Sequence, residues 1–466
     1  MESFSGIRGV YGEDFTDDVA RRYAQAFSEP YKGSVLVIGG DSRKSNPALR
    51  KIIIESFRKM GVGRIIDVGI IPVQACEYSI LKFKASGGVY ISASHNEPEY
   101  NGLKFLKEDG GLLYPEDADS LIKKANSGEM PEPARHATAT EIIDRHEEVV
   151  KEYANYILES IGEDFIEKIR GANFKILADP NGGSAVVILD KIFKLLNVNG
   201  KILNNELGRF GRLIEPNVES LKYLQKQIDE EKFDFGCGFD CDADRVEIVA
   251  PSHSEFAKKM GPVVSGNYVL ALCCDSYLEG KKNQIVVTND CTSYLVRDVV
   301  KKHGAAIKET EVGEMNVVSG MEKWNSAIGG EGSCGGVIVF PVKCRDGIMS
   351  IVLILKMLAE REKSLTDILD YYPEYYSERT KLFCSDPVGV KNRLEGYFKN
   401  KGFEIIKTGG EEGGLKILFD RNSYLWFRQS KTEAGMFRII SDGNSPERVA
   451  KILKKGISLF NKINKE

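Results

Sequence analysis

Nothing in this chain of 466 residues is long and apolar enough to span a bilayer. The longest uninterrupted apolar run, near Val269-Leu270-Ala271-Leu272-Cys273-Cys274, falls far short of the roughly 20 residues a span requires. The opening residues Met1-Glu2-Ser3-Phe4-Ser5-Gly6 carry neither a basic stretch nor an apolar core, so no secretory signal is expected. The nine cysteines include no Cys-x-x-Cys pair and are odd in number, which predicts reduced thiols in a cytoplasm. Positive charge is not in excess either: 64 Lys and Arg against 68 Asp and Glu leave a net charge of −4. General binding to nucleic acid or an anionic membrane, both of which need a basic surface, is thereby excluded. An anionic ligand must be met by a local cluster of Arg and Lys.

What is present is one pattern, three times. Val35-Leu36-Val37-Ile38 leads through Gly39-Gly40-Asp41-Ser42-Arg43 into apolar residues at helical spacing, Leu49, Ile52, Ile53, Phe57 and Met60. Phe174-Lys175-Ile176-Leu177-Ala178 does the same through Asp179-Pro180-Asn181-Gly182-Gly183-Ser184, and Ile285-Val286-Val287-Thr288 through Asn289-Asp290-Cys291-Thr292-Ser293. Each turn holds an Asp and then a Ser, and each unit is followed by a further strand, which implies parallel sheets covered by helices. The tail differs. It offers short alternating strands, Lys416-Ile417-Leu418-Phe419 and Tyr424-Leu425-Trp426-Phe427-Arg428, and a closing helix from Pro446 to Ile463. The length exceeds what one core supports, so several domains are expected. We read three similar α/β domains, 1–150, 151–255 and 256–375, with mixed or parallel sheets, plus a smaller α+β domain, 376–466. Open α/β sheets bind ligands beyond the carboxyl ends of their strands, so equivalent loops from these domains are expected to face one central cleft.

The polar loop after Val89-Tyr90-Ile91, Ser92-Ala93-Ser94-His95-Asn96-Glu97-Pro98 and on to Lys104, puts Ser94 at the mouth of a strand as a candidate nucleophile. His95 beside it either orients the loop backbone or moves a proton. In the second unit, Asp240, Asp242 and Asp244 follow a strand on alternate positions, which aims them the same way. Three like charges so close call for a hard cation, Mg²⁺ or Ca²⁺. An EF-hand is excluded, because Arg245 and Pro251 stand where that loop requires Gly and Glu. Mg²⁺ usually completes its shell with phosphate oxygen and water, so a phosphoryl group is implied, with Ser94 as the atom that carries it. In the third unit Glu331 and Ser333 lie between glycines and suit sugar hydroxyls, or form an ordinary glycine-rich turn. Arg428-Gln429-Ser430-Lys431-Thr432, followed by Arg438, is either an anion site or a solvated turn. Arg8 stands between glycines near the start.

Taken together these loops resemble the α-D-phosphohexomutase family, over the whole chain and in the family's order. Its phosphoserine loop is matched from Ser94 to Lys104, and its Asp-Gly-Asp-x-Asp-Arg loop by Asp240 to Arg245, with Cys241 in place of glycine. Its sugar loop is matched by Glu331 and Ser333, with Gly335 where many members have histidine. Its phosphate loop is matched by Arg428, Ser430 and Thr432, with Lys431 and Ala434 as departures, and Arg8 falls on its N-terminal Gly-Ile-Arg-Gly. The resemblance implies a phosphate on Ser94 and Mg²⁺ held by Ser94, Asp240, Asp242 and Asp244. It also implies Arg8 and Lys104 near the reacting oxygen, with His95 as the neighbouring candidate, and Arg245, Glu331, Ser333, Arg428, Ser430, Thr432 and Arg438 as substrate-binding residues. It implies interconversion of hexose 1-phosphate and hexose 6-phosphate through a hexose 1,6-bisphosphate, with phosphomannomutase/phosphoglucomutase favoured over phosphoglucosamine mutase. The partners implied are small sugar phosphates, for a monomer or homodimer in the cytoplasm. A metal-dependent sugar phosphatase and a catalytically inactive sugar-phosphate binding protein are the alternatives of other types; the Glu331 and Arg428 loops and the intact Ser94 and aspartates argue against them.

Overall fold

The computed structural model describes residues 2–3, 6–129, 131–133, 140–430 and 435–464. By internal contacts the chain forms two compact units, Met1–Val264 with Ile338–Asp370, and Ser265–Val337 with Tyr371–Glu466. Among the described residues no helix is long and apolar enough to cross a membrane.

The first unit begins with a seven-stranded sheet ordered Glu2–Ser3, Gly6–Val10, Tyr100–Lys107, Gly87–Ile91, Val35–Gly40, Arg64–Ile70, Glu141–Asp144. Its centre is parallel, as the βαβ pattern predicts: Gly87–Ile91 and Arg64–Ile70 flank Val35–Gly40. Helices Asp17–Ser28, Asn46–Lys59 and Pro115–Asn126 cover one face, burying Tyr23, Phe27, Leu49, Ile53 and Phe57 against Leu36, Ile38, Val89 and Leu103. The sheet is mixed, within the expectation, because the strands beyond Gly87–Ile91 pair antiparallel. Tyr100–Lys107 returns antiparallel to Gly87–Ile91, with Tyr90 opposite Lys104 and Ile91 opposite Leu103. The stretch up to Lys104 is therefore a hairpin, and only its first part is loop.

The second sheet repeats the device. Phe235–Phe239 runs parallel to Lys175–Asp179 and antiparallel to Val246–Val249, with Phe239 opposite Val246, so the acidic turn 240–245 also closes a hairpin. Helix Gly347–Arg361 belongs to this unit as well. Asp346 caps it, accepting from Met349 N at 2.8 Å, and it is buried on every side from Gly347 to Ala359.

In the second unit Ile285–Asn289 lies between Ala306–Thr310 and Ile328–Gly330, all parallel. A five-stranded sheet follows, ordered Tyr376–Phe383, Met436–Gly443, Ser423–Gln429, Leu415–Asp420, Glu404–Lys407, with each neighbour antiparallel. Alternation turns Leu415, Ile417, Leu425, Phe427, Phe437 and Ile439 toward helices Pro387–Asn400 and Pro446–Ile463. The last helix starts where Ser445 accepts from the Arg448 N–H and Pro446 takes the first turn.

The aspartate shared by the three turns has a structural reason. Asp41, Asp179 and Asp290 are all buried at strand ends, and each anchors a distant segment. Asp179 receives Arg212 Nε at 2.6 Å and Tyr223 OH at 2.6 Å, and Asp290 receives Thr408 Oγ1. Asp41 holds Arg43 Nε at 3.1 Å, and the rest of that guanidinium spreads over the Ser94 loop. Nη1 donates to the carbonyls of Glu97 (2.6 Å) and Tyr100 (3.0 Å), and Nη2 to those of Ser94 (2.7 Å) and Asn96 (2.6 Å). The side chains of Arg43 and Asp41 are 0% exposed, so removing one strands the other and orphans four carbonyls. Arg43→Met is expected to lower stability in denaturant by about 3 kcal/mol or more. Arg43→Lys should recover little of it, since one ammonium cannot span that fan of acceptors. A Lys variant as stable as the parent would contradict this role.

Candidate active site

Ser94 sits in the left-handed region, at φ 51°, a conformation a serine adopts only under constraint. Besides Arg43, the constraint is a short chain of hydrogen bonds. The Ser94 N–H donates to Ser92 Oγ at 2.7 Å, and Ser92 Oγ donates to Asp242 Oδ2 at 3.1 Å. Ser94 Oγ thereby reaches Asp240 Oδ2 at 3.3 Å, with His95 Nδ1 at 3.4 Å. The serine loop and the acidic turn are thus locked together within the first unit.

The carboxylates of Asp240, Asp242 and Asp244 offer oxygens within 4.8 Å of one another, a group able to hold a metal ion. Their convergence does not come from strand alternation, as the spacing suggested. Residues 240–245 form a turn with Ala243 at φ 62°, and that reversal gathers the three side chains. All three are buried. Lys104 Nζ lies 2.7 Å from Asp242 Oδ2 and 3.8 Å from Asp244 Oδ2; Arg345 Nη2 lies 3.1 Å from Asp244 Oδ2. Arg245 Nε flanks Asp240 and Asp244 at 3.9 and 3.8 Å, and its Nη1 meets Glu215 at 2.9 Å. Even so, Asp242 Oδ1 and Asp244 Oδ1 are buried and accept no hydrogen bond among the described residues. Two orphaned anionic oxygens aimed into a nest of carboxylates fit a divalent cation, which would supply the missing partners.

The electrostatics follow from this crowding. Burial, reinforced by Asp244 and Asp242, pushes the Asp240 carboxyl well above its ordinary range. Burial also opposes charge on Asp244, but Arg345, Lys104 and Arg245 outweigh it and hold that carboxyl low. Burial, with Arg245 and Arg8 nearby, drives His95 down to about 2, so its imidazole is neutral. Arg8 lies within the field of Asp242 and Asp244. Of the expected residues, Ser94, His95, Lys104, Arg8, Arg245 and the three aspartates are brought together here. Arg43 and Arg345 are additions with no local signal in the sequence.

The remaining expected residues lie in the second unit. Glu331 is buried after Ile328–Gly330, and its Oε1 accepts from Asn289 Nδ2 at 2.7 Å and Gly313 N at 2.9 Å. Gly332 N donates to Thr292 Oγ1 at 3.1 Å, and Ser333 Oγ lies 3.9 Å from Cys334 Sγ. Arg428 lies opposite Arg438 near the end of its strand, and Ser430 N donates to Met436 O at 2.7 Å. Thr432, with Lys431 and Ala434, lies outside the described residues. Asn289 and Glu311, which meets Arg428 at 2.7 Å, were not among the expected residues. Asn289 stood one residue before the shared aspartate.

Three family profiles match the chain: phosphoglucomutase/phosphomannomutase alpha/beta/alpha domain I over residues 3–132, domain II over 151–253 and domain III over 265–375. A phosphoglucomutase/phosphomannomutase of Thermococcus kodakarensis is 31% identical, with 98% of this chain and 97% of that protein covered. A probable phosphoglucosamine mutase of Pyrococcus horikoshii is 28% identical, with 99% and 98% covered. The crystal structure of a phosphoglucomutase/phosphomannomutase family protein from Burkholderia thailandensis shares the fold, with a TM-score of 0.81 at 21% identity over 99% of this chain and 98% of that one. Three α/β/α domains followed by a sheet domain define a phosphosugar isomerase. The chain belongs to the α-D-phosphohexomutase family.

A cation held by the acidic turn must stabilise the fold by mass action. At a hundredfold excess over Kd the gain is about 2.7 kcal/mol. Magnesium added after chelation is expected to raise Tm by about 5 °C, and Asp242→Asn to abolish the rise. An unchanged Tm in the parent protein, over a concentration series, would contradict the assignment.

Proposed function

We propose that this enzyme interconverts hexose 1-phosphates and hexose 6-phosphates, with Ser94 lending a phosphoryl group and taking it back. The observation that carries the reading is the placement of Ser94 Oγ 3.3 Å from Asp240, on the turn that also bears Asp242 and Asp244. In this reading Asp240, Asp242, Asp244 and the phosphoserine hold Mg²⁺, which, when bound, neutralises charge on the phosphoryl oxygens. Phosphoryl transfer asks for alignment and charge more than for covalent help. Lys104, an ammonium against Asp242, and Arg8 and Arg245 supply donors to the oxygens of the moving group. A neutral His95 orients the Ser94 oxygen as it leaves and returns.

In the first half-reaction the bond from phosphorus to the Ser94 oxygen breaks as one to a sugar hydroxyl oxygen forms, and the proton that the hydroxyl gives up ends on the Ser94 oxygen. The product, a hexose 1,6-bisphosphate, then presents its other phosphate to the same serine. Glu331 and Ser333 serve the sugar hydroxyls, and Arg428, Ser430, Thr432 and Arg438 serve the phosphate that is not reacting. Glu331 supports its part because Asn289 and Gly313 fix its carboxylate at the end of Ile328–Gly330. The four-domain division is retained as part of this reading. So are the cytoplasmic setting, in keeping with nine free cysteines, eight of them buried, and a monomer or homodimer.

We favour glucose and mannose phosphates over glucosamine phosphate, in line with the name of the Thermococcus kodakarensis relative. Assays with the three 1-phosphates, primed by trace bisphosphate, decide the sugar. Intact-mass measurement of the parent protein is expected to show one phosphate, absent from Ser94→Ala, and that variant should lose about 10³-fold or more in kcat. A Ser94→Ala protein that turned over at the parent rate would overturn the mechanism whatever the sugar.

A further inference from the structure

Arg428 and Arg438 face each other across the antiparallel strands Ser423–Gln429 and Met436–Gly443, and Lys381 stands opposite Arg438 on Tyr376–Phe383. Cross-strand partners share a face, so these side chains form a row of three cations on the side of the sheet opposite Phe427, Phe437 and Ile439. Like charges so placed repel one another unless an anion intervenes.

The chain supplies an anion of its own. Glu311, just past Ala306–Thr310, accepts from Arg428 Nη2 at 2.7 Å, and the two side chains are only 14% and 7% exposed. A pair this sheltered is screened far less than a surface one. Glu311 is also confined. Gly409, at φ +69°, lies so close that a Cβ there would overlap its carboxylate, and Lys391 Nζ donates to the carbonyls of Gly410 (3.2 Å) and Gly413 (3.1 Å), pinning the glycine loop. Arg428 Nε, meanwhile, is buried and makes no hydrogen bond among the described residues, although a guanidinium can offer paired N–H groups to an oxyanion.

We propose that Glu311 is a resident carboxylate ligand of Arg428 that competes with the substrate's phosphate, and so sets how tightly that phosphate is held. This rests on the reading that Arg428 receives the non-reacting phosphate. A bisphosphate that must turn between half-reactions has to let go of this site within each turnover. With Glu311 in place, release exchanges one anion for another and never exposes a bare buried cation. The same competition weakens binding, because phosphate engages only the fraction of protein in which Arg428 is available.

The test is calorimetric titration of glucose 6-phosphate into full-length dephosphorylated protein, together with steady-state kinetics. Glu311→Gln is expected to bind about tenfold tighter, with KM and kcat both lowered as bisphosphate release slows. A merely structural role predicts the opposite for KM. Glu311→Asp, which keeps the charge but withdraws it, should fall between; if the Gln variant does not fold, tightened binding by the Asp variant carries the test. Unchanged or weakened binding in the folded variants overturns the proposal. Arg428→Ala serves the parent reading: it is expected to lose affinity, and if it binds like the parent protein, the placement of phosphate at Arg428 fails independently of Glu311.

Discussion

Three carboxylates buried on one turn, those of Asp240, Asp242 and Asp244, repel one another in a medium that screens them poorly, and the organisation of the first unit answers that repulsion. Lys104 comes from the return strand of one hairpin, Arg245 from the turn itself, and Arg345 from the residue before the Asp346 cap. Cations from three places in the sequence are drawn to one spot. Their sum leaves two oxygens without a hydrogen-bond partner among the described residues, and that unmet charge fits a divalent cation.

Positioning the serine against this cluster is a separate problem, solved by buried aspartates at strand ends. A carboxylate at such a place has backbone donors and a nearby loop, so it can hold a long polar side chain that in turn fixes other segments. Asp41 does this through Arg43, whose guanidinium gathers the carbonyls around Ser94, and Asp179 does it through Arg212. Asp290 instead holds the short hydroxyl side chain of Thr408, just past Glu404–Lys407. The scaffold repeats while the side chains on each loop differ: Ser94 and His95 on the first, three aspartates on the second, Glu331 and Ser333 on the third.

Much of this was legible beforehand, and the exceptions have physical causes. Strand, turn and helix showed through periodicity, and the closing helix fell on Pro446–Ile463 because a cap, a proline and a helical apolar stripe coincide there. The Tyr100–Lys107 strand was hidden because Asn101 and Lys104, polar residues that imitate a loop, occupy buried positions in it. The spacing of Asp240, Asp242 and Asp244 pointed to convergence, but a turn and not a pleat produces it. Arg43, Arg345 and Glu311 left no trace, since each acts on groups distant in sequence through hydrogen bonds that no local pattern encodes. Thr432 lies outside the described residues.

The fate of the phosphoryl group on Ser94 separates a mutase from a phosphatase. Protein carrying radiolabelled phosphate on its serine, mixed in single turnover with unlabelled glucose 1-phosphate, should pass the label to hexose bisphosphate and then to hexose 6-phosphate, with little inorganic phosphate formed. Release of the label as inorganic phosphate at the rate of turnover would contradict the mutase reading and make the enzyme a phosphatase.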